Sequence, residues 1–320
     1  MNTIPTKKVS YLYLGTAFLL MVVSNWTYTI SLAAWLYPVF LMRFMRLEKA
    51  AWGLLLGAAA SIVAGIIMMW WTLSSEMLFP SSVRMLSGAA AGFLVFLPFA
   101  IDRLLTQRIG GFASTFLFPM AYTAMELAMS FDRHRSTWGS LAYTQYGNLP
   151  LLQLVSVTGI WGVTFLVAWF ASVVNWAWSR GVGAPGVKRG LLLYVSVLAI
   201  VLLAGGARLT FFPPHGETTR VATITKPKRF HALFPLSESR ESLCDNSDKE
   251  QAYFIAKTKE AARRGAGIIL WQEVAVFIYR EDEPAFLRKL QKVAREAGIY
   301  LGATVCSFPE NYPESPWVVE

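Results

Sequence analysis

Residues 51–73 read AWGLLLGAAASIVAGIIMMWWTL. Apart from Ser61 and Thr72, the run is glycine, alanine, aliphatic residues, methionine and tryptophan, with no charge in it. A helix needs about 20 mostly apolar residues to cross a bilayer, whereas a surface helix of a soluble protein shows a polar face. The stretch therefore reads as a membrane span. The same test, carried outward, predicts seven spans: 10–24, 27–45, 51–73, 84–101, 112–130, 151–178 and 190–207. The second contains Pro38, so it is either a kinked span or partly re-entrant. Gly159 and Gly162 are expected to allow close helix packing.

Composition separates these apolar segments from the C-terminal third of the chain. Of 320 residues, 55% are hydrophobic and 15% are charged, against about 25% charged in soluble domains. Only five acids, Glu48, Glu76, Asp102, Glu126 and Asp132, lie before residue 207, and the other fifteen lie beyond it. The expected architecture is a multi-span α-helical membrane bundle over 1–207, followed by an α/β domain over 208–320. The net charge of +9 does not make a nucleic-acid binder, because residues 1–206 carry thirteen bases against five acids while residues 207–320 are nearly balanced. That excess lies between apolar segments, where membrane insertion and lipid headgroups account for it.

Charge also orients the chain. With the N-terminus inside, seven spans put Lys7, Lys8, Arg43, Arg46, Lys49, Arg103, Arg108, Arg180, Lys188 and Arg189 on the cytoplasmic side. The far side receives Arg133 and Arg135, with Arg84 and Arg208 at the boundaries. By the positive-inside rule this places residues 208–320 outside the cytoplasm.

Two features of the bundle invite function. Glu126 is an acid deep in an apolar run, a functional candidate by default; a structural pairing with Arg133, His134 or Arg135 is the equal alternative. The loop 131–150, FDRHRSTWGSLAYTQYGNLP, carries Trp138, Tyr143, Gln145 and Tyr146. It suits a lipid or substrate headgroup, while composition alone favours an aromatic belt at the interface.

Beyond the bundle, RVATIT at 220–225, GIILW at 267–271 and IYLGATV at 299–305 read as strands. Residues 246–264, capped by Asp245 or Asn246, and residues 284–297 read as helices between them. This alternation predicts a parallel sheet. Glu273 follows the middle strand in LWQEVA, at the strand end where ligands bind in open α/β sheets. Partial desolvation there would suit a general base, and a capping or ion-paired glutamate is the alternative. Cys306 reads as a small buried hydrophobe. Cys244 and Cys306 are either one bridge or two unpaired thiols. Lys226, Lys228 and Arg229 read as solvated. His134, His215 and His231 have no metal-ligand spacing, and neither a metal nor a cofactor enters the reading.

Three stretches together resemble the apolipoprotein N-acyltransferase family, a membrane bundle joined to a nitrilase-type (carbon–nitrogen hydrolase) domain. They are FLFPMAYTAMELAMS at 116–130, WGSLAYTQYGNLPLLQLVSVTGIWGVTFL at 138–166 and IILWQEVA at 268–275. In the last, Gln272 stands where the family has proline. The resemblance implies that 208–320 is the N-terminal part of an αββα sandwich, in a multi-pass protein of the bacterial inner membrane. It implies transfer of an acyl chain from a phospholipid to the N-terminal diacylglyceryl-cysteine of a lipoprotein, through a cysteine thioester. Glu273 then matches the family's general base. The family's lysine and cysteine find no counterpart: Lys289 and Lys292 lie on the last helix, and Cys306 is on the wrong strand. The chain is thus expected to be the front part of such an enzyme and inactive alone, with Glu273 in an open crevice. A membrane-tethered amidase of the nitrilase class, or a degenerate or split product without catalysis, are the competing readings.

Overall fold

The computed structural model describes residues 7–73, 80–132, 136–213, 216–227 and 239–310. Two compact units part at Pro214.

The first unit is helical: α1 (Lys7–Val22), α2 (Ser31–Leu47), α3 (Ala50–Thr72), α4 (Ser81–Ile109), α5 (Leu117–Ser130), α6 (Leu149–Leu152), α7 (Val155–Thr158), α8 (Ile160–Arg180) and α9 (Val187–Phe211). Hydrogen bonds at the helix ends show that α1–α5, α8 and α9 alternate between two ends of the bundle. At one end Ser10 of α1 donates to Glu48 (2.5 Å), Arg46 of α2 to Asp102 of α4, and Arg43 to Ser179 of α8. At the other, Thr27 meets Thr72 (3.1 Å), Ser31 donates to Thr144 O (2.6 Å), and Arg208 of α9 bonds Ser156.

Four of these helices, α3, α4, α8 and α9, are long and apolar enough to cross a membrane. Three more of the seven expected, α1, α2 and α5, run between the same two ends and are shorter. With 16, 17 and 14 residues, α1, α2 and α5 reach about 21–26 Å at 1.5 Å per residue, short of a hydrocarbon layer of about 30 Å. Pro38 lies inside α2, which stays one helix. The expected span 151–178 is broken at Gly159, whose φ of +64° ends α7 and opens α8. Gly159 thus serves a turn, not packing, while Gly162 sits against Thr158. Conversely, α4 runs past its expected end at 101. Asp102 is taken up by Arg46, and Arg103 donates to Met45 O (2.7 Å), so its charges are satisfied without leaving the helix.

Small residues bring α3 and α4 together. A Cβ on Gly92 would stand 2.2 Å from Ser61 O, and one on Gly65 would stand 2.3 Å from Gly88 O. This is the close backbone approach that small residues spaced four apart permit in membranes. Elsewhere aromatic side chains fill the core: Phe99 lies 4.6 Å from Phe118, and Phe116 stacks on Trp169 at 4.9 Å.

The second unit holds β1 (Val221–Ile224), α10 (Arg240–Arg263), β2 (Ile268–Trp271), β3 (Val276–Tyr279), α11 (Glu283–Ala297), β4 (Tyr300–Gly302) and β5 (Val305–Phe308). Its strands form two small parallel sheets, β1-β2-β4 and β3-β5. Three expectations change. Helix α10 begins at Arg240, because Ser239 caps it by accepting from Ser242 N–H (3.3 Å), while Asn246 is buried within it. A strand that the sequence does not announce, β3, follows Glu273. The expected strand 299–305 ends at Gly302, and its last residue, Val305, instead opens β5, which pairs with β3 in the other sheet. Both helices share the core with β2: Trp271 lies 4.8 Å from Phe254 and 6.3 Å from Phe286. Its Nε1–H donates to Thr258 (2.9 Å), so this tryptophan is a packing residue.

Candidate functional site

In the bundle, Glu126 and the aromatic loop form one construction. The Glu126 carboxylate, buried on α5, accepts from Leu141 N–H (2.7 Å), Ser140 Oγ (2.9 Å) and Thr164 Oγ1 (2.7 Å). It ties α5 and α8 to the start of the short 3-10 turn Leu141–Gln145. Residues 133–135, the partners weighed for Glu126 in the sequence, lie outside the described residues.

The rest of the loop is anchored as firmly. Gly139 has a φ of +82°, and a Cβ there would fall 2.6 Å from the Trp26 ring. Its carbonyl accepts from Asn25 Nδ2 (2.8 Å), and Trp138 packs edge-on against Trp26 at 4.5 Å. Gln145 is buried: it accepts from Trp35 Nε1 (3.0 Å) and donates to Thr144 Oγ1 (2.8 Å). It holds the loop and presents nothing outward. Of the candidate residues, Trp138, Tyr143, whose hydroxyl meets Thr137 Oγ1 at 2.6 Å, and Tyr146 are exposed. Tyr146 forms one wall of a groove of about 600 Å³ lined also by Trp26, Tyr28, Ile30 and Trp71.

In the second unit, Glu273 occupies the turn between β2 and β3 and is exposed. With its own side chain in solvent, Glu273 lacks the partial desolvation expected from its position. The turn itself is fixed on both sides. Gln272 N–H donates to Ile224 O (3.0 Å), its Oε1 accepts from Lys226 N–H (2.5 Å), and its carbonyl accepts from Thr304 Oγ1. Ala275 N–H donates to Thr304 O (3.3 Å). A proline at 272 could make neither the first nor the second of these bonds. Val274 has a φ of +52°, a region costly for a β-branched residue. The turn presents the Glu273 carboxylate from a strained, well-pinned backbone.

Sequence reasoning missed the buried ion pair beside this turn. Lys226, expected in solvent, is buried, with Nζ 2.6 Å from Glu250 Oε1 and 5.4 Å from the Phe277 ring. Burial pushes the Glu250 carboxyl up; Lys226, and to a lesser degree Phe277 N–H, draw it back without cancelling the rise. The one available signal was Glu250 on the helix face that also carries Phe254 and Thr258. Lys228, Arg229 and His231 lie outside the described residues.

Neither cysteine is prepared as a nucleophile. Both are unpaired and pack against the small cluster of Leu243, Phe277, Tyr279 and Phe308. Burial raises the Cys306 thiol above its ordinary value, and burial together with Asp282 and other nearby acids raises Cys244. A raised pKa leaves less thiolate.

Long apolar helices crossing between a basic end and an aromatic end, with a small α/β unit appended, define a membrane protein with a separate soluble part. Residues 16–173 match the family described as apolipoprotein N-acyltransferase N-terminal domain. An apolipoprotein N-acyltransferase of Geobacter metallireducens is 30% identical over 183 residues, covering 56% of this chain and 33% of that relative. The match thus spans about a third of the relative's length. The chain is an apolipoprotein N-acyltransferase-like protein.

Proposed function

We propose that this chain serves acyl transfer from a phospholipid to the N-terminal diacylglyceryl-cysteine of a lipoprotein. The observation that carries the reading is the family match over residues 16–173, which contains the Glu126-anchored loop and both walls of the aromatic groove. In this reading Trp138, Tyr143 and Tyr146 lie at the membrane surface and the groove receives lipid chains, while Gln145 and Glu126 keep the loop in shape.

The second unit then contributes the nitrilase-type part, with Glu273 as general base. A thiol loses its proton to Glu273, and its sulfur attacks the phospholipid ester carbonyl. The lysophospholipid leaves as an alcohol after taking that proton, and the thioester remains. The lipoprotein amine next attacks the thioester and displaces the sulfur, its proton passing by way of Glu273 to the departing thiolate, which gives the amide and restores the thiol. Cys244 and Cys306 are unsuited to supply this sulfur, so the nucleophile and the oxyanion-stabilising lysine are assigned to sequence that the family carries beyond the matched stretch. The exposure of Glu273 agrees with a base whose cover comes from such sequence.

The same reading puts the second unit on the extracytoplasmic side of the inner membrane. The bundle gathers Arg43, Arg46, Arg103 and Arg180 at one end, and α9 runs from there to the aromatic end.

The test is co-expression of the full chain with the C-terminal portion of the Geobacter relative, assayed for lipoprotein N-acylation. Activity is expected, and Glu273→Gln should lower it by at least about 100-fold, the scale of a lost general base, with the complex still formed. Full activity of the variant in an intact complex would remove Glu273 from the mechanism. A complex that forms without any N-acylation would overturn the reading itself.

A further inference from the structure

We infer that the basic end of the bundle carries a binding pocket for the phosphodiester headgroup of an anionic phospholipid, separate from the aromatic groove and independent of the function proposed above. A cavity of about 310 Å³ opens there between α2, α4 and α8. Its walls hold three arginines, Arg46, Arg103 and Arg180, and one carboxylate, Asp102. That carboxylate is already engaged, by Arg46 Nη2 (3.1 and 2.9 Å) and by Thr106 Oγ1 (2.8 Å). The cavity therefore keeps an excess of two positive charges.

A second observation points to an acceptor. Trp176, in the same wall, is 7% exposed, and its Nε1–H has no acceptor among the described residues. An indole nitrogen can only donate, and a buried donor left unmet is uncommon enough to require a reason. An anionic oxygen in the cavity would supply one. Arg180 stands 5.7 Å from the ring of this same tryptophan, so a cation lies beside it. On another side the wall is Gly110 and Gly111, at φ +64° and +57°, with open space where side chains would stand.

The surroundings favour lipid over a free anion. Leu104, Leu105 and Ile109 are exposed along the same part of α4, an apolar surface for the acyl chains of a molecule whose headgroup is in the cavity. The positive-inside rule explains arginines at this end, but it requires no cavity around them and no donor turned from solvent. Basic pockets between membrane helices are suited to anionic headgroups.

The experiment uses the full chain in detergent, with native mass spectrometry against phosphatidylglycerol and phosphatidylcholine at equal concentrations. One phosphatidylglycerol per chain should be retained in preference to phosphatidylcholine. Arg180→Gln should weaken that retention about five-fold, the effect of one cation near an anionic headgroup. Trp176→Phe, which keeps the ring and removes the donor, should weaken it about two- to five-fold. Arg108→Gln, on the exposed face of α4 outside the cavity, should leave it unchanged. Equal losses at Arg108 and Arg180 would reduce the effect to general surface charge and overturn the pocket, as would equal retention of the two lipids. Thermal protection by inorganic phosphate that matches that of phosphatidylglycerol would overturn the lipid assignment.

Discussion

Replacing Glu126 by leucine tests whether this buried acid is the fastening of the aromatic loop. The substitution keeps the apolar volume of the site and removes three accepted hydrogen bonds, from Leu141 N–H, Ser140 Oγ and Thr164 Oγ1. The losses are unequal. The two hydroxyls lie 3.4 Å apart and can turn to bond each other, whereas the Leu141 amide is fixed by its 3-10 turn. A stranded buried donor costs roughly 1–3 kcal/mol, and a lost bond to a charged group is of similar size. Together these give about 3–5 kcal/mol, on the order of 10 °C in apparent Tm for a unit of some 200 residues. Glu126→Gln keeps one oxygen for the amide and should cost about 1 kcal/mol. The assay is thermal unfolding of the detergent-solubilised chain, with protease cleavage within residues 136–148 as a local readout. Cleavage should rise strongly in the leucine variant and little in the glutamine variant. A leucine variant as stable and as protected as the parent would refute the fastening role and return Glu126 to the status of a reactive acid.

Four further outcomes are expected. Gly92→Leu should separate α3 from α4 and lower thermal stability by at least about 3 kcal/mol, since even a Cβ would meet Ser61 O at 2.2 Å, while Gly15→Ala, with open space around it, should be silent. Lys226→Met should destabilise the second unit by about 3–5 kcal/mol and Lys226→Met with Glu250→Leu should recover most of it, as read by hydrogen exchange of the full chain. Burial holds the folded Glu250 carboxyl above its unfolded value, so the stability tied to its proton is present at acid pH and is lost as pH rises through the raised value. Without Lys226 that loss should extend to higher pH; hydrogen exchange at pH 5 and pH 8 checks the sign. Finally, a reporter active only in the cytoplasm, fused at Gly216, should stay silent, and strong cytoplasmic signal would discard the proposed orientation.

The helical membrane class, the change of character near residue 210 and the residues of interest were legible in the sequence, because each rests on local composition. Uncharged runs as long as 51–73 have one stable solvent, and a carboxylate inside 112–130 is conspicuous whatever surrounds it. Helix boundaries were less legible, since hydropathy ends a span at the first charge. The structure continues α4 through Asp102 and Arg103 because α2 supplies Arg46 and the carbonyl of Met45. That compensation comes from residues more than fifty positions away. Gly159 shows the converse: its apolar neighbours read as one span, and only the backbone reveals the left-handed break.

The contents of the sites divide along the same line. Sequence alone selected Glu126, Glu273 and the aromatic loop by type and by position relative to helices and strands. Tertiary structure alone decided which of them face outward. It buried Gln145 against Trp35 and left Tyr146 on the groove, and it buried Lys226 on Glu250 while exposing Glu273. The physical reason is that a polar side chain's environment depends on partners brought together by packing. Solvation and hydrogen bonding are pairwise and non-local, whereas hydrophobic length and periodicity can be read along the chain.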